Sequence, residues 1–295
     1  MFNAFSKSVM GQSHVKKNIV CQDSSAHKVT DDYAIAVVAD GHGSKKHFRS
    51  NIGSKCAVEA TLEVLARFME TEGFFETFPE RRSSVIKNIE KQVIACWNEK
   101  VNAHHDANPV TVVEKKPFTH DEFAEIPVES YYGTTLICGV MCKDFTFGFQ
   151  LGDGSLVTVL EDGTTSMPMD YNEQNPANIT SSMCNANAAS MFAEFYSVEP
   201  KVAALFASTD GLYTTFGGEQ AFFDYHTLIA SQLIDPEKVR ASVENNIAKR
   251  THYGTEDDIS FACAVNGDLL AECRPALINK VAENKRAAAE KKVKN

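Results

Sequence analysis

No stretch of the chain approaches eighteen consecutive apolar residues, so no membrane-spanning segment is expected. The opening residues, MFNAFSKSVMGQSH, carry one Lys and no apolar h-region, so no secretory signal is expected there. None of the eight cysteines (21, 56, 96, 138, 142, 184, 263 and 273) forms a Cys-x-x-Cys pair, which argues against a zinc ribbon or a thioredoxin-like motif. A positive surplus is also missing. Twenty-nine Lys+Arg against 39 Asp+Glu leave a formal charge of −10, the wrong sign for a protein whose main partner is nucleic acid. With 43% hydrophobic and 23% charged residues, the chain is too apolar to be disordered. No internal repeat or low-complexity linker divides its 295 residues, a length that can bury a sizeable core. What is left is a globular enzyme or binding domain, expected in the cytoplasm with its thiols reduced. Cys138, Cys142 and Cys263 lie in apolar runs and read as small buried hydrophobes, whereas Cys21 stands beside an acidic motif.

Short β-branched runs over Ala34–Val38, Thr135–Cys142, Phe145–Gln150, Ser155–Leu160, Val202–Ser208 and Ile259–Val265 read as strands. Lys143-Asp144 and Glu161-Asp162-Gly163 read as turns between them. Helical spacing appears in one stripe from Ala57 to Met69 and in another through Ile86, Ile89, Val93, Trp97 and Val101, with a loop expected over Glu72–Arg82. Further helices are expected over Gln220–Leu233 and over Pro236–Lys249, the latter capped by Asp235. Strands, two helices, more strands and more helices make an α+β layered domain. Asn108–Ser130 and Ser166–Pro200 read as long loops. The main domain is expected over 1–270. A tail, 271–295, reads as a surface helix whose Lys/Arg-rich face is solvated or meets a partner.

Five short motifs place carboxylates beside strand ends: Gln22-Asp23, Asp40-Gly41-His42-Gly43, Gly152-Asp153-Gly154, Thr209-Asp210-Gly211 and Asp257-Asp258. Taken singly, each Asp-Gly is a turn, His42 a turn residue and Gly133-Thr134-Thr135 a strand entry. Taken together they differ. No Lys or Arg recurs beside them, and converging carboxylates repel unless cations lie between them. Hard oxygen donors favour Mg²⁺ or Mn²⁺ over zinc.

The ordered set Gln-Asp, ValAlaAspGlyHisGly, GlyThrThr, LeuGlyAspGly, SerThrAspGlyLeu and AspAspIleSer resembles the metal-dependent protein phosphatases of the type 2C class, from about Gly11 to Val265. Gly11-x-Ser13-His14, Cys21-Gln22-Asp23, Gly43-Ser44 and Arg49-Ser50 look closest to its bacterial and phage branch. The resemblance implies a four-layer αββα sandwich of two antiparallel sheets flanked by helices. It also implies two Mg²⁺ or Mn²⁺ ions, with Asp40 bridging them, the Gly41 carbonyl on one, Asp210 and Asp257 on the other, and Asp23 ligating or holding water. Asp153 matches the position of a third, weaker metal, and His42 that of the general acid. The implied reaction is in-line hydrolysis of phosphoserine or phosphothreonine monoesters in protein substrates by hydroxide bridging the metals.

Two departures qualify the match. Relatives place an Arg before the Gln-Asp motif to clamp the substrate phosphate. This chain has His14-Val15-Lys16-Lys17-Asn18 instead, leaving His14 or Lys17 to substitute or to be plain surface residues. Relatives also carry an acid four residues after the Thr-Asp-Gly aspartate, where this chain has Thr214, which bears on Asp153 and the third metal. The alternatives are a pseudo-enzyme serving as a binding module and a small-molecule phosphohydrolase.

Overall fold

The computed structural model describes residues 1–169 and 181–294. In chain order its strands are β1 (Phe2–Val9), β2 (Ser24–Val29), β3 (Tyr33–Ala39), β4 (Leu136–Cys142), β5 (Thr146–Leu151), β6 (Ser155–Leu160), β7 (Thr165–Ser166), β8 (Ala193–Ser197), β9 (Val202–Ser208) and β10 (Ile259–Asn266). The helices are α1 (Gln12–Lys17), α2 (Ser50–Met69), α3 (Phe74–Ala107), α4 (Val112–Lys115), α5 (His120–Ala124), α6 (Asp210–Tyr213), α7 (Glu219–Gln232), α8 (Pro236–Tyr253) and α9 (Gly267–Lys294).

The strands form two antiparallel five-stranded sheets, ordered β1-β10-β9-β6-β7 and β2-β3-β4-β5-β8. Period-two alternation sorts each strand onto two faces. On β3, Ala34, Ala36 and Val38 point into the space between the sheets, where they meet Ile137, Leu156, Leu205, Ala207, Ala262 and Ala264. Ile35, Val37 and Ala39 point the other way, onto α2 and α3. The outer face of the β1-β10-β9-β6-β7 sheet, with Val157, Phe206, Phe261 and Cys263, is covered by α7, α8 and α9. Helices, sheet, sheet and helices make the αββα sandwich, as the sequence leads one to expect. Both faces of the central strands are buried, which is why they read as continuous apolar runs. No helix among the described residues is long and apolar enough to cross a membrane.

Several elements differ from expectation. The loop over Glu72–Arg82 is replaced by the start of α3, which runs through Pro79. Phe74 and Phe78, one helical turn apart, are both buried, and Phe78 stacks on Phe145 at 4.7 Å. That aromatic packing outweighs the hydrogen bond that Pro79 forfeits. The stretch 108–130 holds α4 and α5, each opened by a capping box, Thr111 with Glu114 and Thr119 with Glu122. In the stretch 166–200, residues 170–180 lie outside the described residues, and β8 occupies part of the remainder. β1 and β2 are also unforeseen. They are polar edge strands whose side chains meet across the sheets, as in Ser6–His27 and Ser8–Ser25, each at 2.9 Å. Finally, α9 begins at Gly267, so a boundary at 270/271 falls inside one helix. Leu270, Cys273 and Leu277 on its inner face are buried.

Candidate active site

Strand register brings the five acidic motifs to one end of the sandwich. Ser24 pairs with Ala39, so Asp23 and Asp40 leave adjacent strand ends. Ser208 pairs with Ser155 and Phe261, which draws Asp210, Asp153 and Asp257 to the same end. Asp40, Asp153, Asp210 and Asp257 line an open cleft of about 460 Å³, with His42, Gly43, Ser44, Lys46 and His47 on its wall. Asp23 lies beneath them, buried. A larger cavity of about 660 Å³ lies between α7 and α9, remote from these carboxylates, and carries none of the acidic motifs.

The motif residues that are not carboxylates hold the carboxylates in place. The Asp40 carbonyl accepts from Thr134 Oγ1 at 2.7 Å and from the Thr135 N–H at 2.9 Å, while the Asp40 N–H donates to Thr135 Oγ1 at 3.0 Å. Thr209 Oγ1 donates to Asp23 Oδ2 at 2.7 Å and accepts from the Ser260 N–H at 2.9 Å. Close approach explains two glycines. A Cβ on Gly41 would stand 2.4 Å from the Gln22 carbonyl, and one on Gly133 would stand 2.4 Å from His47 Nδ1 and 3.0 Å from His42 Cδ2. Gly133 is thus the floor on which two imidazoles rest.

Electrostatically the site is overloaded with negative charge. Burial, then Asp23, Asp210, Asp257 and Asp153, hold the Asp40 carboxyl well above the usual carboxylate range. Burial likewise raises Asp23, with Asp258, Asp257 and Asp210 adding to it against the Thr209 hydrogen bond. Asp210 is raised by burial and by Asp153. No Lys or Arg forms an ion pair with Asp23, Asp40, Asp210 or Asp257 among the described residues. Burial brings the His42 imidazole down to about 4, helped by His47 and Lys46 and opposed by Asp153. The His42 and His47 ring centroids are 4.9 Å apart, and His47 Nδ1 donates to the Ser130 carbonyl.

The two members of the Asp257-Asp258 motif have different situations. Asp257 is exposed in the cleft. Asp258 is buried and accepts from the Gly11 N–H at 2.6 Å and the Gln22 N–H at 2.7 Å, with His14 Nδ1 3.0 Å away. Asp258 therefore pins the segment that carries Asp23. Asp258→Ala would strand two N–H donors, each costing about 1–3 kcal/mol, so a fall in melting temperature of several degrees is expected. An unchanged melting temperature would show that the segment is held by other contacts.

Not every candidate converges on the cleft. His14 is turned to Asp258, and Lys17 is exposed on α1; neither lines the cleft. Cys21 is half-buried beside Asp23, its thiol pushed above its ordinary range by burial and by Asp258 and Asp23, which disfavours a thiolate. Thr214 donates to the Gly211 carbonyl at 3.2 Å. Lys46, His47, Ser182, Cys184 and Asn185 also line the cleft, although none belongs to the sequence motifs. The available signal for the first two was the polar run Ser44-Lys45-Lys46-His47 directly after the histidine motif.

A family model described as protein phosphatase 2C matches residues 10–248. Among solved structures, a bacterial serine phosphatase is 14% identical, with a TM-score of 0.56 over 90% of this chain and 98% of its own. The S. agalactiae serine/threonine phosphatase is 16% identical, with a TM-score of 0.56 over 90% and 99%. The serine/threonine phosphatase Stp1 from Staphylococcus aureus is 14% identical, with a TM-score of 0.55 over 90% and 95%. At these identities the likeness is one of fold. No curated protein matches the chain. The family match spans most of the sequence and takes in four of the five acidic motifs gathered at the cleft, and the chain belongs to the protein phosphatase 2C family.

Proposed function

We propose that this chain is a Mg²⁺- or Mn²⁺-dependent protein phosphatase acting on phosphoserine and phosphothreonine monoesters. The observation that carries this reading is the set Asp23, Asp40, Asp210 and Asp257 at one end of the sandwich, with no paired cation among the described residues. An arrangement of mutually repelling, partly buried carboxylates fits divalent cations, and an all-oxygen donor set fits Mg²⁺ or Mn²⁺. Among the described residues, no three His, Cys, Asp or Glu gather closely enough to enclose an ion by themselves. Water would complete each shell, as Mg²⁺ prefers, since it takes one or two carboxylates and keeps several waters.

Asp40, which feels all four other carboxylates, is the residue to be shared by two ions. Asp23, the Gly41 carbonyl, Asp210 and Asp257 would be the remaining ligands, with Asp153 at the outer position. When bound, the two cations would polarise a water for in-line attack and neutralise the phosphoryl oxygens. His42, on the cleft wall, is brought down to about 4 by burial, and a substrate dianion beside it would favour its protonated form, so that it would deliver a proton to the departing serine or threonine oxygen. The eight cysteines are free thiols, which suits a reducing, cytoplasmic setting.

Purified protein with Mn²⁺ is expected to release phosphate from phosphoserine and phosphothreonine peptides, and to stop when EDTA is added. Turnover of nucleotides or sugar phosphates but not peptides would make it a small-molecule phosphohydrolase. Metal binding by calorimetry without any turnover would make it a binding module.

A further inference from the structure

The cleft is lined by four carboxylates and by only one Lys or Arg among the described residues, Lys46. A phosphate monoester dianion entering it meets Asp40, Asp153, Asp210 and Asp257. Metal cations would offset that charge at the floor, and Lys46 is the one Lys or Arg among the described residues placed to add positive charge from the wall.

The loop carrying Lys46 is fastened on both sides. Lys45 Nζ stands 3.6 Å from Glu122 Oε1 and 5.1 Å from the centre of the Phe118 ring, drawn away toward α5. His47 is bonded to the Ser130 carbonyl. The buried Arg49 guanidinium donates to Glu114 Oε1 at 2.8 Å, to Glu114 Oε2 at 3.2 Å and to the Tyr132 hydroxyl at 3.0 Å. Between these anchors Lys46 is exposed and makes no ion pair among the described residues. Its charge is nonetheless close enough to disfavour protonation of both His42 and His47. The lysines of α1 are placed differently: Lys16 is held by Glu256 at 2.8 Å, and Lys17 lies outside the cleft.

We propose that Lys46 grips the phosphoryl group of the substrate, taking over from the wall of the cleft the work that the sequence led one to expect of His14 or Lys17 on α1. The proposal rests on the phosphatase reading above. An ammonium is a compact point charge on a flexible stem, so the contact attracts and retains the dianion with little directional demand. Such a contact is made alike in the ground state and the transition state, and its loss is read mainly in KM.

The test uses the full chain with Mn²⁺. Lys46→Ala is expected to raise KM for a phosphopeptide by about tenfold, the scale of one charge-assisted hydrogen bond, with kcat changed far less. The inhibition constant of inorganic phosphate should weaken in parallel, Mn²⁺ affinity by calorimetry should stay the same, and Lys46→Arg should restore most of the affinity. Unchanged KM and phosphate inhibition in Lys46→Ala would overturn the proposal. So would an increase in KM confined to His14→Ala or Lys17→Ala, which would return the contact to α1. A loss of Mn²⁺ affinity would reassign Lys46 to shaping the metal site. If the wild type turned nothing over, the phosphatase reading would fail separately. Calorimetric binding of inorganic phosphate in Mn²⁺ would then still decide whether Lys46 holds the anion.

Discussion

Asp40→Asn is expected to abolish phosphopeptide turnover in Mn²⁺, to below about one hundredth of wild type, while leaving the circular dichroism spectrum intact. The carboxyl leaves β3 where its backbone is fixed by Thr134 and Thr135, so the amide can occupy the same place without disturbing the strand. What is lost is a charged oxygen ligand at the centre of the carboxylate group. Asn offers one neutral oxygen, too weak a donor to be shared between two hard cations. Calorimetry should show Mn²⁺ affinity falling with activity. Retained turnover above a tenth of wild type would exclude a shared role for Asp40.

The same substitution should stabilise the protein when metal is withheld. In the folded chain, burial and four neighbouring carboxylates raise the Asp40 carboxyl, and Asp23 and Asp210 are raised for related reasons. A carboxyl raised on folding favours the native state at pH below its unfolded value of about 4. That contribution is lost as pH rises through the folded value. In EDTA, wild type should therefore melt lower than Asp40→Asn, and the gap should widen from pH 5 to pH 8. A difference of about 2–4 °C corresponds to each kcal/mol in a domain of this size. Saturating Mn²⁺ should reverse the order, because cation binding stabilises the wild-type native state. A gap that does not depend on pH would mean that the carboxylate repulsion is relieved by other means.

The buried sandwich was legible because strands covered on both faces carry an uninterrupted apolar signal, as in Ala34–Val38 and Val202–Ser208. Strands with one wet side carried none. β2 reads Ser-Ser-Ala-His-Lys-Val, and its place is set by its register with β3 rather than by its own composition. Pro79 masked the first turns of α3, since the compensating contacts of Phe78 come from β5 and its approach, more than sixty residues away. The T-x-x-E patterns at Thr111 and Thr119 were readable locally as helix starts. The acidic motifs were legible as a set because an Asp at a strand end has a purpose that survives in sequence. The difference between Asp257 and Asp258 was not. One faces the cleft and the other pins Gly11 and Gln22, a distinction made by which way one turn points. Lys46 was hidden for a similar reason: of two adjacent lysines, only the structure shows that Lys45 is drawn off to Glu122 and Phe118.

His42→Ala should separate two substrates that differ in their leaving group. Phosphopeptide hydrolysis must expel a serine or threonine alkoxide, which departs slowly unless it is protonated as the P–O bond breaks. Nitrophenolate leaves p-nitrophenyl phosphate without help. The position of His42 suits the donor role. Its backbone N–H is tied to the Gly133 carbonyl at 3.1 Å, its ring rests against His47, and it lines the cleft alongside Asp40 and Asp210. Removing a general acid typically costs about 10²–10⁴-fold, so kcat for the phosphopeptide should fall by at least about a hundredfold. The rate for p-nitrophenyl phosphate should fall by less than about tenfold. The ratio of the two losses is the diagnostic quantity, because damage to ion binding or to the loop would slow both reactions together. Equal losses, accompanied by weaker Mn²⁺ binding, would assign the imidazole to holding ions or water in place. His47→Ala offers a check on geometry. If His47 only braces the His42 ring, its removal should produce the same leaving-group preference in weaker form, with Mn²⁺ affinity unchanged.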